Sequence, residues 1–205
     1  MSSKSSRWWL KEHFSDVYVK KAQQEGYRSR AVYKLIEIQE RDYLFKPGMI
    51  VVDLGAAPGG WSQLVSKLVK PKGQIIALDL LPMEAIEGVE FIQGDFSDDA
   101  LIENLQEQLM ASPVDWVISD MAPNMSGNPS IDMPRSMYLA ELTVDFALKI
   151  NVRQGLLIKV FQGEGFEALL SEMKKHFKSV LIRKPKASRG RSREVYILAK
   201  GRPKA

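Results

Sequence analysis

An α/β fold of the Rossmann-like kind is what this sequence predicts: a mostly parallel sheet covered by helices on both faces. Three observations predict it. The stretch VVDLGAAPGGW at 51–61 passes from a β-branched run through a glycine-rich turn into an amphipathic segment, which reads as strand, tight turn and helix. From residue 49 onward, short apolar runs alternate with helix-length amphipathic ones, the pattern of a parallel sheet with crossover helices. The last two strand-like runs are joined only by 185–193, too short for a covering helix, so one strand must enter the sheet reversed.

Composition bounds the rest. At 205 residues, 45% of them apolar, the chain is long enough to bury one continuous core, and we expect a single domain over 1–205. Residues 1–45 read as a basic, aromatic, helical N-terminal extension of it. The absence of cysteine excludes disulfides, Cys-ligated zinc and a thiol nucleophile. No apolar run approaches the roughly 18 residues of a membrane span, and the N-terminus lacks a signal-peptide core, so a cytoplasmic protein is expected. His13 and His176 have no metal-ligand spacing, and no metal site is expected. Without a dimerisation signature, a monomer is expected too.

Charge is distributed by region: net +4 over 1–46, −11 over 47–173 and +11 over 174–205. An acidic middle between basic ends fits a small-molecule fold dressed with a polyanion-binding surface; a merely solvated basic tail is the alternative.

In chain order, 1–30 interleaves Arg7, Lys11, Lys20, Lys21, Arg28 and Arg30 with Trp8, Trp9, Phe14, Tyr18 and Tyr27. Cations can grip phosphates while aromatic faces stack on unpaired bases; a helical arm tucked against the core is the other reading. Ser29 can cap a helix over 30–43 that carries Lys34 in its middle. Strands are predicted at 49–54, 74–79, 89–94, 114–119, 155–160, 178–184 and 194–200. Helices are predicted near 59–70, 98–109, 133–150 and 164–176. The connection 185–193, with Lys186, Arg189, Arg191 and Arg193 among Pro, Ser and Gly, is expected to be mobile and exposed. Arg7, Lys11, Arg28, Arg30, Arg189 and Arg191 are the candidate RNA contacts.

The glycine turn departs from the dinucleotide fingerprint. Anchored on Gly55, that pattern needs glycine at 57, where the chain has Ala57, and Pro58 offers no N–H to a pyrophosphate. With Gly59 leading into the helix, the turn suits a nucleoside without a bridging phosphate, which suggests S-adenosylmethionine. Ligands of open parallel sheets bind at the carboxyl ends of the strands, and four strands finish there in an acid: Asp53, Asp79, Asp95 and Asp120. Asp79 suits ribose hydroxyls, Asp95 an adenine amine, and Phe96 could stack on the base. Trp61 either walls the methionine end or merely packs. Lys159 lies at the lip of an apolar strand, where a lysine must find a carboxylate or lose its charge. Glu194 begins the reversed strand, so its start shares the edge where the other strands end. Topology thus brings Asp120, Lys159 and Glu194 to one rim.

The chain resembles the FtsJ/RrmJ family of S-adenosylmethionine-dependent ribose 2′-O-methyltransferases over essentially its whole length. The resemblance is carried by SRAVYKL around Lys34, DLGAAPGGW, SDMAPN, LIKVFQGEG and SREVY. It implies the methyltransferase variant of the Rossmann-like fold, with sheet order 3-2-1-4-5-7-6 and the last strand antiparallel. It also implies a catalytic set on Lys34, Asp120, Lys159 and Glu194, and cofactor contacts on Gly59, Trp61, Asp79, Asp95 and Asp120, beside Asp53, Gly55, Pro58 and Phe96 from the reading above. The implied substrate is a uridine of large-subunit ribosomal RNA at the peptidyl-transferase centre, within the ribosomal particle, and the product S-adenosylhomocysteine. A ribose hydroxyl is a very weak acid, so in-line methyl transfer to it needs a base within hydrogen-bond reach. Lys159 is the expected base and Lys34 the second candidate. Asp120 would orient Lys159, and Glu194 would hold Lys34 or the incoming ribose.

Other classes fit less well. A nicotinamide oxidoreductase is opposed by Ala57. Methylation at a pyrimidine carbon needs a cysteine nucleophile, which is missing. Methylation of a base amine uses an Asn/Asp-Pro-Pro-aromatic element that Asp120-Met121-Ala122-Pro123 does not supply. A pure RNA-binding module leaves the acids and the lysine on one rim unexplained.

Overall fold

A computed structural model describes residues 16–110, 113–124, 126–188 and 192–201. The elements are α1 (Val17–Gln24), α2 (Val32–Asp42), β1 (Ile50–Leu54), α3 (Gly60–Val69), β2 (Gln74–Asp79), β3 (Val89–Gln93), α4 (Asp99–Met110), β4 (Trp116–Ser119), α5 (Pro129–Lys149), β5 (Gly155–Phe161), α6 (Phe166–His176), β6 (Ser179–Arg183) and β7 (Glu194–Lys200). The seven strands form one sheet in the order β3-β2-β1-β4-β5-β7-β6, with β7 antiparallel to both its neighbours. Among the described residues no helix is long and apolar enough to cross a membrane.

Alternation along each strand divides the core into two layers. Val52, Leu54, Leu156, Ile158, Val160, Val195 and Ile197 face one way, toward Leu105, Leu109, Phe146, Leu170 and Met173 of α4, α5 and α6. Val51, Leu157, Tyr196 and Leu198 face the other, toward Val32, Leu35, Ile38, Trp61 and Val65 of α2 and α3. By the same alternation Asp53, Lys159, Phe161 and Glu194 project to the α2–α3 side. Leu35 is fully buried in that layer, and Leu35→Ala should cost about 2–5 kcal/mol.

Helix α2 starts two residues later than expected. Ser29 Oγ does accept the Ala31 N–H at 3.1 Å, but it caps a 3₁₀-like lead-in made by Val32, Tyr33 and Lys34 N–H groups bonding three residues back. The helix ends at Tyr43, which is left-handed at φ 51°, while the Gln39 side chain accepts the Leu44 and Phe45 N–H groups. Helix α5 begins at Pro129, ahead of the expected 133. Asn128 caps it by accepting the Ser130 N–H at 3.1 Å, and Pro134 is carried inside. A proline is favoured in the first turn of a helix, so Pro134 within α5 gives no local signal of the turn that precedes it.

The 185–193 connection, expected exposed, is corrected in part: Lys186 and Arg193 are exposed, but their neighbours are not. Its described first half is packed down, with Pro185, Ala187 and Ser188 buried. The Lys186 N–H donates to Glu37 at 2.7 Å, and Arg30 donates to the Ala187 carbonyl. Turn-forming composition says nothing of tertiary partners, and here α2 supplies them. The aromatic N-terminal segment, from residue 16 on, follows the tucked reading: Tyr18 and Tyr27 pack around Tyr33 at ring separations of 5.5 and 6.1 Å.

Candidate active site

The carboxyl ends of β1, β2, β3 and β4 open into a cleft of about 380 Å³. It is floored by Gly55 and Ala57 and walled by Asp79, Leu81, Asp95, Phe96, Asp120, Met121 and Leu139. Asp79 accepts the Ala57 N–H and the Leu81 N–H, each at 2.8 Å, and so fixes the glycine turn to the loop after β2. Asp95 accepts the Ser97 N–H and hydroxyl at 2.8 and 2.7 Å, which hold its carboxyl below the usual range. Three carboxylates and not one Lys or Arg line this cleft among the described residues. That set of acceptors repels a pyrophosphate and fits a cationic, hydroxyl-rich nucleoside, so S-adenosylmethionine passes and NAD does not.

Two glycines of the turn are needed for protein packing. A Cβ on Gly55 would stand 2.2 Å from Met121 Cγ, and one on Gly59 (φ 104°) would stand 2.7 Å from Ile86 and 2.8 Å from Met83. The close approach at these two positions is therefore by neighbouring side chains of the chain itself.

Beside the cleft, β4, β5 and β7 form the rim. Lys159 Nζ pairs with Asp120 Oδ1 at 3.2 Å and also donates to the Asp120 carbonyl. Lys34 Nζ, reaching over from α2, pairs with Glu194 Oε1 at 2.7 Å. Tyr196 joins the two pairs: it stands opposite Lys159 across the β5–β7 ladder, donates to Asp120 Oδ1 at 2.7 Å, and lies 5.6 Å beneath the Lys34 ammonium. Burial alone would raise the Asp120 carboxyl, but Lys159, Lys34 and the Tyr196 hydroxyl together hold it below the usual range. Burial, then Asp120 and Glu194, pushes the Tyr196 hydroxyl well above its ordinary value, so it stays a donor. Sequence reasoning missed Tyr196; its position two residues after Glu194, on the same strand face, was the available signal.

The expected site residues are distributed unevenly. Gly55, Asp79, Asp95, Phe96 and Asp120 line the cleft, and Lys34, Asp120, Lys159 and Glu194 form the rim. Asp53 does not line the cleft. It is 1% exposed beneath the turn and accepts the Ser62 hydroxyl of α3 at 2.5 Å, because its parity on β1 turns it inward. Burial pushes its carboxyl up to about 7; the Ser62 hydroxyl opposes the rise, and the charges of Asp120 and Asp79 add to it. Trp61 is packing: its ring lies 5.7 Å from that of Tyr196 and its indole N–H donates to the Ala31 carbonyl. Phe96 touches the cleft from the core side, edge-on to Phe146 at 5.7 Å. Pro58 is exposed, outside the cleft lining.

Of the candidate RNA contacts, Arg28 is corrected. Its guanidinium donates to the carbonyls of Glu84 at 2.7 Å and Ala85 at 2.9 Å, strapping the loop after β2 over the glycine turn. Arg30 pairs with Asp16 and stands over Tyr18. Arg7, Lys11, Arg189 and Arg191 lie outside the described residues.

A reversed last strand in this sheet order, with a cation-free acidic cleft beside two lysines, defines the class: a transferase of the Rossmann-like methyltransferase fold. The same fold is seen, as fold alone, in the MycE methyltransferase of the mycinamycin pathway, solved with Mg and SAH; identity is 17%, the TM-score 0.54, and the match covers 83% of this chain and 47% of that one. The chain belongs to the FtsJ-like methyltransferase family, whose model matches residues 27–202. It is 56% identical over 200 residues to the ribosomal RNA large subunit methyltransferase E of Hahella chejuensis, covering 97% of each chain. The protein of the same name from Hydrogenovibrio crunogenus is 56% identical over 201 residues, 98% of each. A crystal structure described as a putative ribosomal RNA methyltransferase from Plasmodium falciparum is 31% identical, with a TM-score of 0.73 over 86% of this chain and 98% of that one.

Proposed function

We propose that this methyltransferase modifies a ribose 2′-hydroxyl of a uridine in large-subunit ribosomal RNA, in the peptidyl-transferase region and on the ribosomal particle, using S-adenosylmethionine and releasing S-adenosylhomocysteine. The single observation that carries the reading is the rim: two lysine–carboxylate pairs joined through Tyr196 at the edge of an acid-lined cleft. The names of the bacterial relatives support large-subunit ribosomal RNA as the substrate.

Asp79, Asp95 and Asp120 would hold the cofactor through its hydroxyl and amino groups, with Leu81, Phe96 and Leu139 against its base. When bound, S-adenosylmethionine supplies an electrophilic methyl group. Lys159, as the neutral amine, would take the proton of the ribose hydroxyl as that oxygen displaces the sulfur from the methyl carbon and leaves the thioether S-adenosylhomocysteine, and Asp120 would fix the direction of the amine. Lys34, held by Glu194 and stacked on Tyr196, faces the same rim and orients the ribose. The test is transfer of labelled methyl to purified large subunits and to naked ribosomal RNA, followed by mass-spectrometric mapping. One ribose-methylated uridine is expected, formed faster on subunits. Methyl groups found only on bases, or none on RNA, would end the reading.

A further inference from the structure

Beyond the lysine rim, on the side away from the acidic cleft, lies a second cavity of about 300 Å³ lined by Arg30, Ala31, Lys34, Phe161, Ser192 and Glu194. We infer that this cavity receives the acceptor nucleotide with its base turned out of the RNA stack, and that Phe161 is the platform on which that base rests. The inference rests on the RNA methylation proposed above and adds to it a base pocket and a positioning residue.

The placement follows from strand geometry. Phe161 follows Lys159 by two residues on β5, so it projects from the same face about 7 Å farther along the strand. Opposite it in the ladder stands Glu194, which anchors Lys34. The spacing from Lys159 to Phe161 spans a nucleoside from its sugar hydroxyl to its base. A sugar at the lysines therefore sends its base toward the Phe161 ring. Among the described residues lining the cavity Phe161 is the aromatic one, and it is half-buried.

The walls suit one base and little else. Arg30 is fixed by Asp16 and the Ala187 carbonyl, so its guanidinium is a built wall. Ala31 adds only a methyl group to the lining, and Ser192 a small polar edge. The volume lies at the lower end for small-ligand pockets, enough for a single nucleoside. Lys34 is committed to Glu194, which weakens the pocket as a phosphate site. A base on an aromatic face is how unpaired RNA is commonly held, and stacking tolerates any base.

The test uses the full chain with S-adenosylhomocysteine and a single-stranded oligoribonucleotide carrying 2-aminopurine between two abasic positions, where the free probe is unstacked and bright, alongside methyl transfer to large subunits. With the wild type, stacking on Phe161 should quench the 2-aminopurine. Phe161→Ala should abolish the quench and lower kcat/KM for RNA about 5- to 150-fold, with the affinity for S-adenosylhomocysteine unchanged by calorimetry. Phe161→Leu, which keeps apolar bulk without a π face, should do the same if alanine disturbs the strand, and Phe161→Tyr should restore both signals. Ala31→Leu, which fills the cavity, should also lose both. A Phe161→Leu protein that quenches and methylates as the wild type does overturns the pocket. Loss of the quench on mutation, in a protein that methylates no RNA, leaves the pocket standing and removes the function proposed above.

Discussion

The acid-lined cleft and the lysine rim are neighbours built in opposite ways. In the cleft, Asp95 is satisfied within its own loop, and Asp79 by the Leu81 N–H beside it and the Ala57 N–H of the glycine turn, one βα unit back. At the rim, partners come from distant parts of the chain: Asp120 reaches Lys159 39 residues on and Tyr196 76 residues on, and Lys34 crosses from α2 to β7. The floor and the Asp79–Asp95 wall of the cleft are thus built within the first βαβ units, and Asp120, Met121 and Leu139 close it from β4 and α5. The rim exists only after β5 has docked against β4 and β7 against β5. Binding should therefore separate from turnover when either region is damaged.

The largest separation is expected from Lys159→Ala. Removing the proposed base should lower turnover about 10²- to 10⁴-fold, while S-adenosylmethionine affinity by calorimetry stays within twofold. A variant that keeps its rate would transfer the base role to Lys34.

Beneath the cleft, Asp53→Asn tests how tightly acids are crowded there. A carboxyl raised from 3.8 to about 7 in the fold ionises more readily in the unfolded chain. It therefore costs nothing below about pH 4, destabilises increasingly as pH rises from 4 to 7, and keeps its full penalty above that. The asparagine can still accept from Ser62, so the stability difference, variant minus wild type, should climb by up to about 4 kcal/mol across that window. Urea unfolding of both proteins at intervals from pH 4 to pH 8 checks it; a flat difference would mean that Asp53 is ionised throughout.

Asp79→Ala is the cleft's counterpart to the lysine variant. Losing the carboxylate frees the Ala57 and Leu81 N–H groups and should weaken cofactor binding about 10- to 100-fold, on the scale of a charge-assisted hydrogen bond. Turnover at saturating cofactor should be nearly intact. If kcat falls as far as affinity, the two regions are not separable.

Tyr196→Phe should have the smallest effect, about 1 kcal/mol or a several-fold loss in kcat. Asp120 would lose one of the groups that hold its carboxyl low, so the acidic limb of the rate profile should move to higher pH. An unchanged profile would show that Tyr196 serves packing alone.

The same contrast explains what could be read from the chain. Asp79, Asp95 and the glycine turn were legible because each is tied to a strand end or turn a few residues away. Asp53 was misassigned because ending a strand with an acid does not say which face the acid takes. Parity on β1 sends it under α3, to Ser62. Arg28 and the start of the 185–193 connection differ from expectation for a related reason: cations and turn formers look solvated until a distant carbonyl or helix accepts them. Tyr196 went unnoticed because an aromatic residue in a strand is ordinarily core.

By itself the sequence determined the order of strands and helices, the reversal of the last strand, the glycine turn and the set of ionisable residues at the strand ends. These follow from local periodicity, from connection length and from the fixed direction of parallel strands. Only the tertiary structure decided which acids reach the cleft, that Lys34 meets Glu194 and that Tyr196 joins the two ion pairs. Those outcomes depend on how α2 docks and on which face each strand position takes once the sheet is assembled, and both are set by the burial of the whole core.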